Sequence, residues 1–274
     1  MRRLGSVLKN GLPKIDAAFY GEGGTGKTTL LGQFAQDERT GPAFWVDAAG
    51  NCQILEVHGI ELLGFRLDGY KDILKVVDFF QTGQSVKHPL RTELELPADL
   101  QFNSLIVDTM SHVQQRLIDY IMELYPDPNL KGTDLIQVIA TKHGAKIIGT
   151  FLDLTRKILA LPVHTFSTFQ LYEKVNFSGG AGGEITGASV QKQLQLYGSS
   201  RVIVPPYYTL MGELTKAQGI DPATKKPGTV TVVTWRDVDK AGKNQLSRSM
   251  PEKIINPTAN EILNFIENDW KKEN

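Results

Sequence analysis

The octapeptide Gly21-Glu22-Gly23-Gly24-Thr25-Gly26-Lys27-Thr28 constrains this chain more than any other stretch. It has the form G-x-x-x-x-G-K-[ST], in which each residue type answers a requirement of holding phosphate. The glycines let the backbone curl with its N–H groups turned inward, at dihedral angles that a side chain resists. Lys27 brings a compact positive charge for β- and γ-phosphates, and the Thr28 hydroxyl suits a Mg²⁺ ion bridging the same oxygens. A helix leaving the loop through Thr28 and Thr29 adds its positive N-terminal end.

The flanks separate this stretch from an ordinary glycine-rich turn. Ile15 to Tyr20 reads as a short buried strand running into the loop, and Leu30, Leu31, Phe34 and Ala35 recur at helical spacing after it. The binding set is therefore Gly21 through Thr29, and the implied cofactors are a nucleoside triphosphate and Mg²⁺. No guanine-reading N-K-x-D occurs, which favours ATP.

A second segment, Ser104-Leu105-Ile106-Val107-Asp108, is an apolar run ending in a carboxylate about 80 residues downstream. A buried parallel strand of this kind carries its acid to the C-terminal edge of a sheet, beside the metal held by Thr28. Asp108 is thus expected to hold the metal, either directly or from its second shell. Ala43 to Asp47 reads as another buried strand ending in an acid, and Gly64 to Leu67 as a further one. Helices are expected around 54–58, from Tyr70 (Ile73, Val76, Val77, Phe80), over Val113 to Leu124, and over Phe151 to Leu161. The stretch 82–101 reads as loop, and 126–146 as turns with several positive charges. Val163 to Gln170 is the next strand, in which His164 reads as a hydrogen-bonded core residue rather than a catalytic one.

Beyond it the pattern changes. A glycine-rich loop, 178–183, leads to an expected helix with Val190, Leu194 and Tyr197, then to an expected strand over 200–204 ended by Pro205-Pro206. Thr229 to Trp235 alternates as an antiparallel strand does, and Arg236, Asp237, Lys240, Lys243 and Arg248 crowd the following loop. Thr258-Ala259-Asn260-Glu261 is a capping box for a C-terminal helix carrying Ile262, Leu263, Ile266 and Trp270. Strands alternating with helices to about residue 170 argue for an α/β fold, a mainly parallel sheet with helices on both faces and a C-terminal antiparallel extension.

Composition narrows the partners. Lys+Arg and Asp+Glu balance at 30 each, so any hold on nucleic acid must come from local patches. The one cysteine, Cys52, excludes a disulfide framework and fits a reducing cytoplasm. No run of about 18 apolar residues suggests a membrane span.

In this layout the chain resembles the RecA-like ATPase cores, and within them the small RecA-like nucleotide-binding proteins of bacteriophages, some of which anneal single strands. The resemblance rests on Gly21–Thr28, on Asp47 followed by Ala48-Ala49-Gly50, and on Leu105–Asp108. It continues through Leu161-Pro162-Val163-His164 to a strand ending in Thr168 and Gln170, and closes with Lys243 to Arg248 before Met250-Pro251. It implies one RecA-like domain over 1–274, with a core of about 12–204 and an extension over 205–274. It also implies ATP hydrolysis, action on single-stranded DNA in recombination or replication, and assembly into a ring or filament.

Residue by residue, the resemblance makes Gln170 the sensor of the γ-phosphate and 171–200 a mobile loop meeting single-stranded DNA. Lys174, Lys192 and Arg201 would take phosphates there, and Tyr172 and Phe177 would stack on bases; an ordinary surface loop is the alternative. Lys243 and Arg248 would reach a neighbouring subunit's ATP, with a solvated basic loop as the alternative. Where the family commonly carries a water-orienting glutamate, this chain has Ala48-Ala49. Asp47, Glu56 or Glu22 would then do that work, or hydrolysis is slow and ATP acts as a switch. A helicase loader or DNA-packaging ATPase, and a nucleotide-dependent regulator or scaffold, are the competing functional readings.

Overall fold

The computed structural model describes residues 12–50, 52, 53, 55, 60, 62–125, 143–179, 185–235 and 243–273. The helix expected around 54–58, most of 126–146, the tip of the glycine run, and Glu56, Arg236, Asp237 and Lys240 lie outside them.

In chain order the elements are β1 (Asp16–Gly21), α1 (Lys27–Gln36), β2 (Ala43–Asp47), β3 (Leu63–Arg66), α2 (Tyr70–Gln81) and α3 (Pro89–Glu93). Then come β4 (Ser104–Asp108), α4 (Met110–Leu124), α5 (Gly144–Leu159), β5 (His164–Gly179), β6 (Ile185–Leu194) and α6 (Ser200–Ile203). The chain closes with β7 (Leu210–Ile220), β8 (Pro227–Trp235), β9 (Lys243–Asn244), β10 (Lys253–Ile255) and α7 (Ala259–Glu273).

The sheet order is β10-β8-β7-β1-β5-β4-β2-β3, with β6 paired to β5 and β9 to β7. Pairings from β7 across to β3 are parallel, while β8 and β10 continue antiparallel. Each central strand buries both faces, so alternate residues feed two separate cores. Phe44, Val46, Leu105 and Val107 pack with α2, α4 and α5 on one side. Trp45, Ile106 and Phe166 pack with α1 and α7 on the other. Phe34 stacks on Phe166 and Phe19, at centroid distances of 4.5 and 5.8 Å, and thereby fixes α1 against the sheet. Burying such a ring stabilises by about 2–3 kcal/mol. The expected α/β architecture, helices on both faces and an antiparallel C-terminal extension, is the one observed. Among the described residues no helix is long and apolar enough to cross a membrane.

Four expectations need correction. The segment 171–200 is not one long loop: β5 runs on to Gly179 and pairs with β6 from Leu171↔Leu194 to Gly179↔Ile185. The expected helix with Val190 and Leu194 is β6, because a spacing of four satisfies a period of two as well as one of 3.6. The expected strand over 200–204 is α6, whose Ser200 hydroxyl accepts a bond from Gln114 Nε2 at 3.1 Å. Within 82–101 lies α3, opened by Pro89 and capped by His88 Nδ1, which accepts from Leu90 N at 3.2 Å. The buried Arg91 guanidinium pins that loop by donating to the carbonyls of Gln84 (3.0 Å), Leu100 (2.7 Å) and Pro97.

Candidate functional site

The phosphate-type loop is shaped by its two ends. A side chain at Gly21 would put Cβ 2.3 Å from the Leu214 carbonyl oxygen, so the close approach of β7 requires glycine there. Gly24 and Gly26 take φ of +74° and +93°, which L side chains resist. A Cβ built on Gly23 or Gly24 meets no atom within 4 Å, so the loop borders open space. Lys27 Nζ donates to the carbonyls of Gly21 (2.9 Å) and Glu22 (2.7 Å) and to Thr25 Oγ1 (3.5 Å). Burial lowers its pKa, opposed by the carboxylates of Asp108 and Glu22.

The second half of the site is Asp108. Thr28 Oγ1 donates to its Oδ2 at 2.7 Å, and Thr168 Oγ1 donates to its Oδ1. The residue is 2% exposed. Burial pushes its pKa up, the two hydroxyls pull against that, and nearby Asp47 adds to the rise. A hydroxyl and a carboxylate are hard oxygen donors, the set that suits Mg²⁺ completed by water and phosphate oxygens. Among the described residues no group of three or more His, Cys, Asp or Glu is assembled as a metal site. The loop and Asp108 therefore fit a magnesium-bound polyphosphate, and a dedicated protein cage for the ion is not needed.

The neighbouring strand ends meet on the same edge. Asp47 lies in register with Asp108, and Gln170 with Gly21. The Asp47 carboxylate is 3% exposed and holds the turn after β2, accepting from Gly50 N (2.7 Å) and Cys52 N (3.4 Å). The N–H groups of Ala48 and Ala49 donate to the Asp108 carbonyl at 2.7 and 3.2 Å. Gln170 N donates to Ser111 Oγ at 3.1 Å, tying β5 to the first turn of α4.

The basic residues expected to meet nucleic acid fall on the β5–β6 hairpin and at its base. Lys192, on β6, pairs with Glu22 Oε1 at 2.5 Å and so returns to the phosphate-type loop. Arg201 sits at the hairpin base, where it donates to Tyr172 OH (2.6 Å), Gly198 O (2.8 Å) and Gln193 Oε1. Lys174 falls on β5, in register with Gln191. Lys243 falls on β9 beside Met211, and Arg248 is exposed just beyond it. Thr29 lines a pocket of about 280 Å³ with Gly26, Gln33, Lys216, Thr231 and Asn256. His164 is a buried, neutral core residue as expected: its Nδ1 accepts from Ile15 N at 3.2 Å, and burial, then Lys14, brings its pKa down to about 4.

Two features escaped sequence reasoning. Glu213 is buried on β7 in register with Tyr20; a single acid in the apolar run Leu210-Met211-Gly212-Glu213-Leu214 was its only signal. A cavity of about 600 Å³ opens between α4 and the hairpin base, lined by residues such as Ser111, His112, Tyr172 and Arg201. Its two walls are at least 50 residues apart in sequence, so no local pattern reveals it.

Neither a protein-family model nor a curated protein sequence matches this chain. Among solved structures it is similar to the RadB recombinase, at 17% sequence identity over 89% of this chain and 86% of that one, with a TM-score of 0.38.

Proposed function

We propose that this chain is a RecA-like nucleotide-binding protein that holds Mg·ATP on Gly21–Thr29 and Asp108 and acts on single-stranded DNA in recombination or replication. The observation that carries the reading is the side-chain bond from Thr28 to Asp108 beneath an open glycine loop. Lys27 would leave the loop carbonyls for the β- and γ-phosphates, and Thr28 with Asp108 would hold the metal. The ion supplies charge neutralisation at the phosphates when bound. The base would sit in the pocket beside Thr29, walled by Lys216, Thr231 and Asn256 of the extension. Gln170, one strand from Gly21, would report the phosphate state to the β5–β6 hairpin. Lys174, Tyr172 and Arg201 on and below that hairpin are the proposed contacts to single strands. Lys243 and Arg248 are the proposed contacts to the ATP of a neighbouring copy in a ring or filament.

The test is binding of a labelled single-stranded oligonucleotide by the purified chain, with and without ATP. Tighter binding with ATP, weakening as salt rises, supports the reading. No binding at low salt under either condition removes DNA from it.

A second reading keeps the nucleotide but drops turnover. Both oxygens of Asp47 already hold backbone N–H groups, and Ala48 and Ala49 stand where a water-orienting acid is expected. Such a site suits a slow switch acting through a protein partner. Equal, low ATPase rates for the native chain and Lys27→Ala would favour this reading over the first.

A further inference from the structure

Glu22 is held by two lysines, one at its main chain and one at its side chain. Lys27 Nζ donates to its main-chain carbonyl at 2.7 Å, and Lys192 Nζ pairs with its side-chain carboxylate at 2.5 Å. The first lysine belongs to the loop itself. The second arrives from β6, 170 residues away in sequence. Both members of the Glu22–Lys192 pair are about half exposed, with relative side-chain exposures of 54% and 46%.

A carboxylate on the rim of a polyphosphate cradle is a liability, since it repels the ligand that the loop is shaped to hold. Lys192 offsets that repulsion while the loop is engaged with its own carbonyls. Once phosphate oxygens draw Lys27 away from Gly21 O and Glu22 O, they also compete with Glu22 for the second ammonium. A lysine on a four-carbon stem, with three rotatable donors, can make that transfer without moving its Cα far. The two ammonium groups are thus held on the main-chain and side-chain oxygens of one loop residue, Glu22.

We propose that Lys192 is a second phosphate-binding cation of this site, carried by the β5–β6 hairpin and parked on Glu22 until nucleotide arrives. This rests on the reading that the loop holds a nucleoside triphosphate. The transfer also connects the site to the hairpin. Lys192 lies two residues before the buried Leu194, and Gln195 N donates to the Gln170 carbonyl at 2.8 Å. A shift of β6 toward the phosphates therefore pulls on the strand that carries Gln170.

The experiment measures affinity for a fluorescent ATP analogue with magnesium, using the full chain as wild type, Lys192→Met, Glu22→Gln, the double variant, Lys192→Arg and Lys27→Ala. Lys192→Met is expected to weaken binding about two- to fivefold, as loss of one exposed ionic contact does. Glu22→Gln is expected to tighten it about two- to threefold by removing the repulsion. The deciding comparison is Lys192→Met in the Glu22→Gln background. A loss that persists there means the lysine touches the ligand, and a loss that vanishes overturns the proposal, leaving Lys192 as a neutraliser of Glu22 alone. Lys192→Arg should recover most of the affinity, which separates lost charge from misfolding. Wild type that binds, fails to bind as Lys27→Ala, and is indifferent to Lys192→Met sinks the lysine but spares the nucleotide reading. Wild type that binds no better than Lys27→Ala sinks both.

Discussion

Thr28 and Asp108, 80 residues apart in the chain, meet side chain to side chain, the hydroxyl donating to Oδ2 at 2.7 Å. One stands in the first turn of α1 and the other at the last residue of β4. Their contact marks the place proposed for a metal ion, where the glycine loop meets the sheet edge.

Asp108→Asn should separate function from stability. The folded-state pKa of Asp108 is raised by burial, so its protonated form stabilises the fold fully below the unfolded value of 3.8. That contribution is lost as pH rises through the raised folded value. At neutral pH the buried charge is a cost that asparagine removes. In the absence of nucleotide the variant is expected to melt above the native chain at pH 7, with the gap closing toward pH 4. Magnesium-dependent turnover should fall by about 10²-fold or more. Thermal unfolding across pH, paired with a phosphate-release assay, checks both halves.

Lys27→Ala removes the ammonium that holds Gly21 O and Glu22 O. Nucleotide affinity should fall by about 10²-fold, the scale of losing charge-assisted bonds to a phosphate. Titration calorimetry against ATP is the measurement; unchanged affinity would remove the loop from the site.

His164 sets an acid limit. Its folded pKa of about 4 lies below the ordinary 6.5, so the unfolded chain binds a proton first as pH falls. Its contribution is present above 6.5 and is lost between 6.5 and about 4, amounting to on the order of 3 kcal/mol. His164→Gln should flatten the loss of stability in that window relative to the native chain. Urea unfolding at pH 7, 5.5 and 4.5 would show it.

Gly21→Ala pushes a methyl group toward the Leu214 carbonyl oxygen, where an ideal Cβ would lie 2.3 Å away. Parting β1 from β7 should cost about 1–3 kcal/mol and disturb the loop together with the adjacent Thr29 pocket. A lowered denaturation midpoint with weakened ATP binding is expected, whereas Gly23→Ala, which meets nothing within 4 Å, should fold normally.

Much of the site was legible from local pattern. The loop reads from its glycines, Lys27 and Thr28, because phosphate binding requires those residue types consecutively. Asp108 reads from the apolar run before it, because a strand buried on both faces is mostly apolar and a charge is accommodated most readily at its end. His164 reads as a hydrogen-bonded core residue from the apolar run around it. Two assignments fail where one local pattern fits two structures: Val190 and Leu194 suit helix and strand alike, and the β-branched run at 200–204 suits a strand but forms α6. β7 carries no readable pattern, because its buried start and exposed end do not share one period.

The sequence by itself determined that a glycine loop between a strand and a helix would be built, and that an acid would end a buried strand, since both follow from neighbours along the chain. Only the tertiary structure decided that Thr28 touches Asp108, that Thr168 grips the other oxygen, and that Lys192 returns to Glu22. Those contacts depend on strand order and hairpin pairing, which are fixed by how the two cores are filled. The free energy of filling them is summed over the whole sheet and is visible in no single stretch of residues.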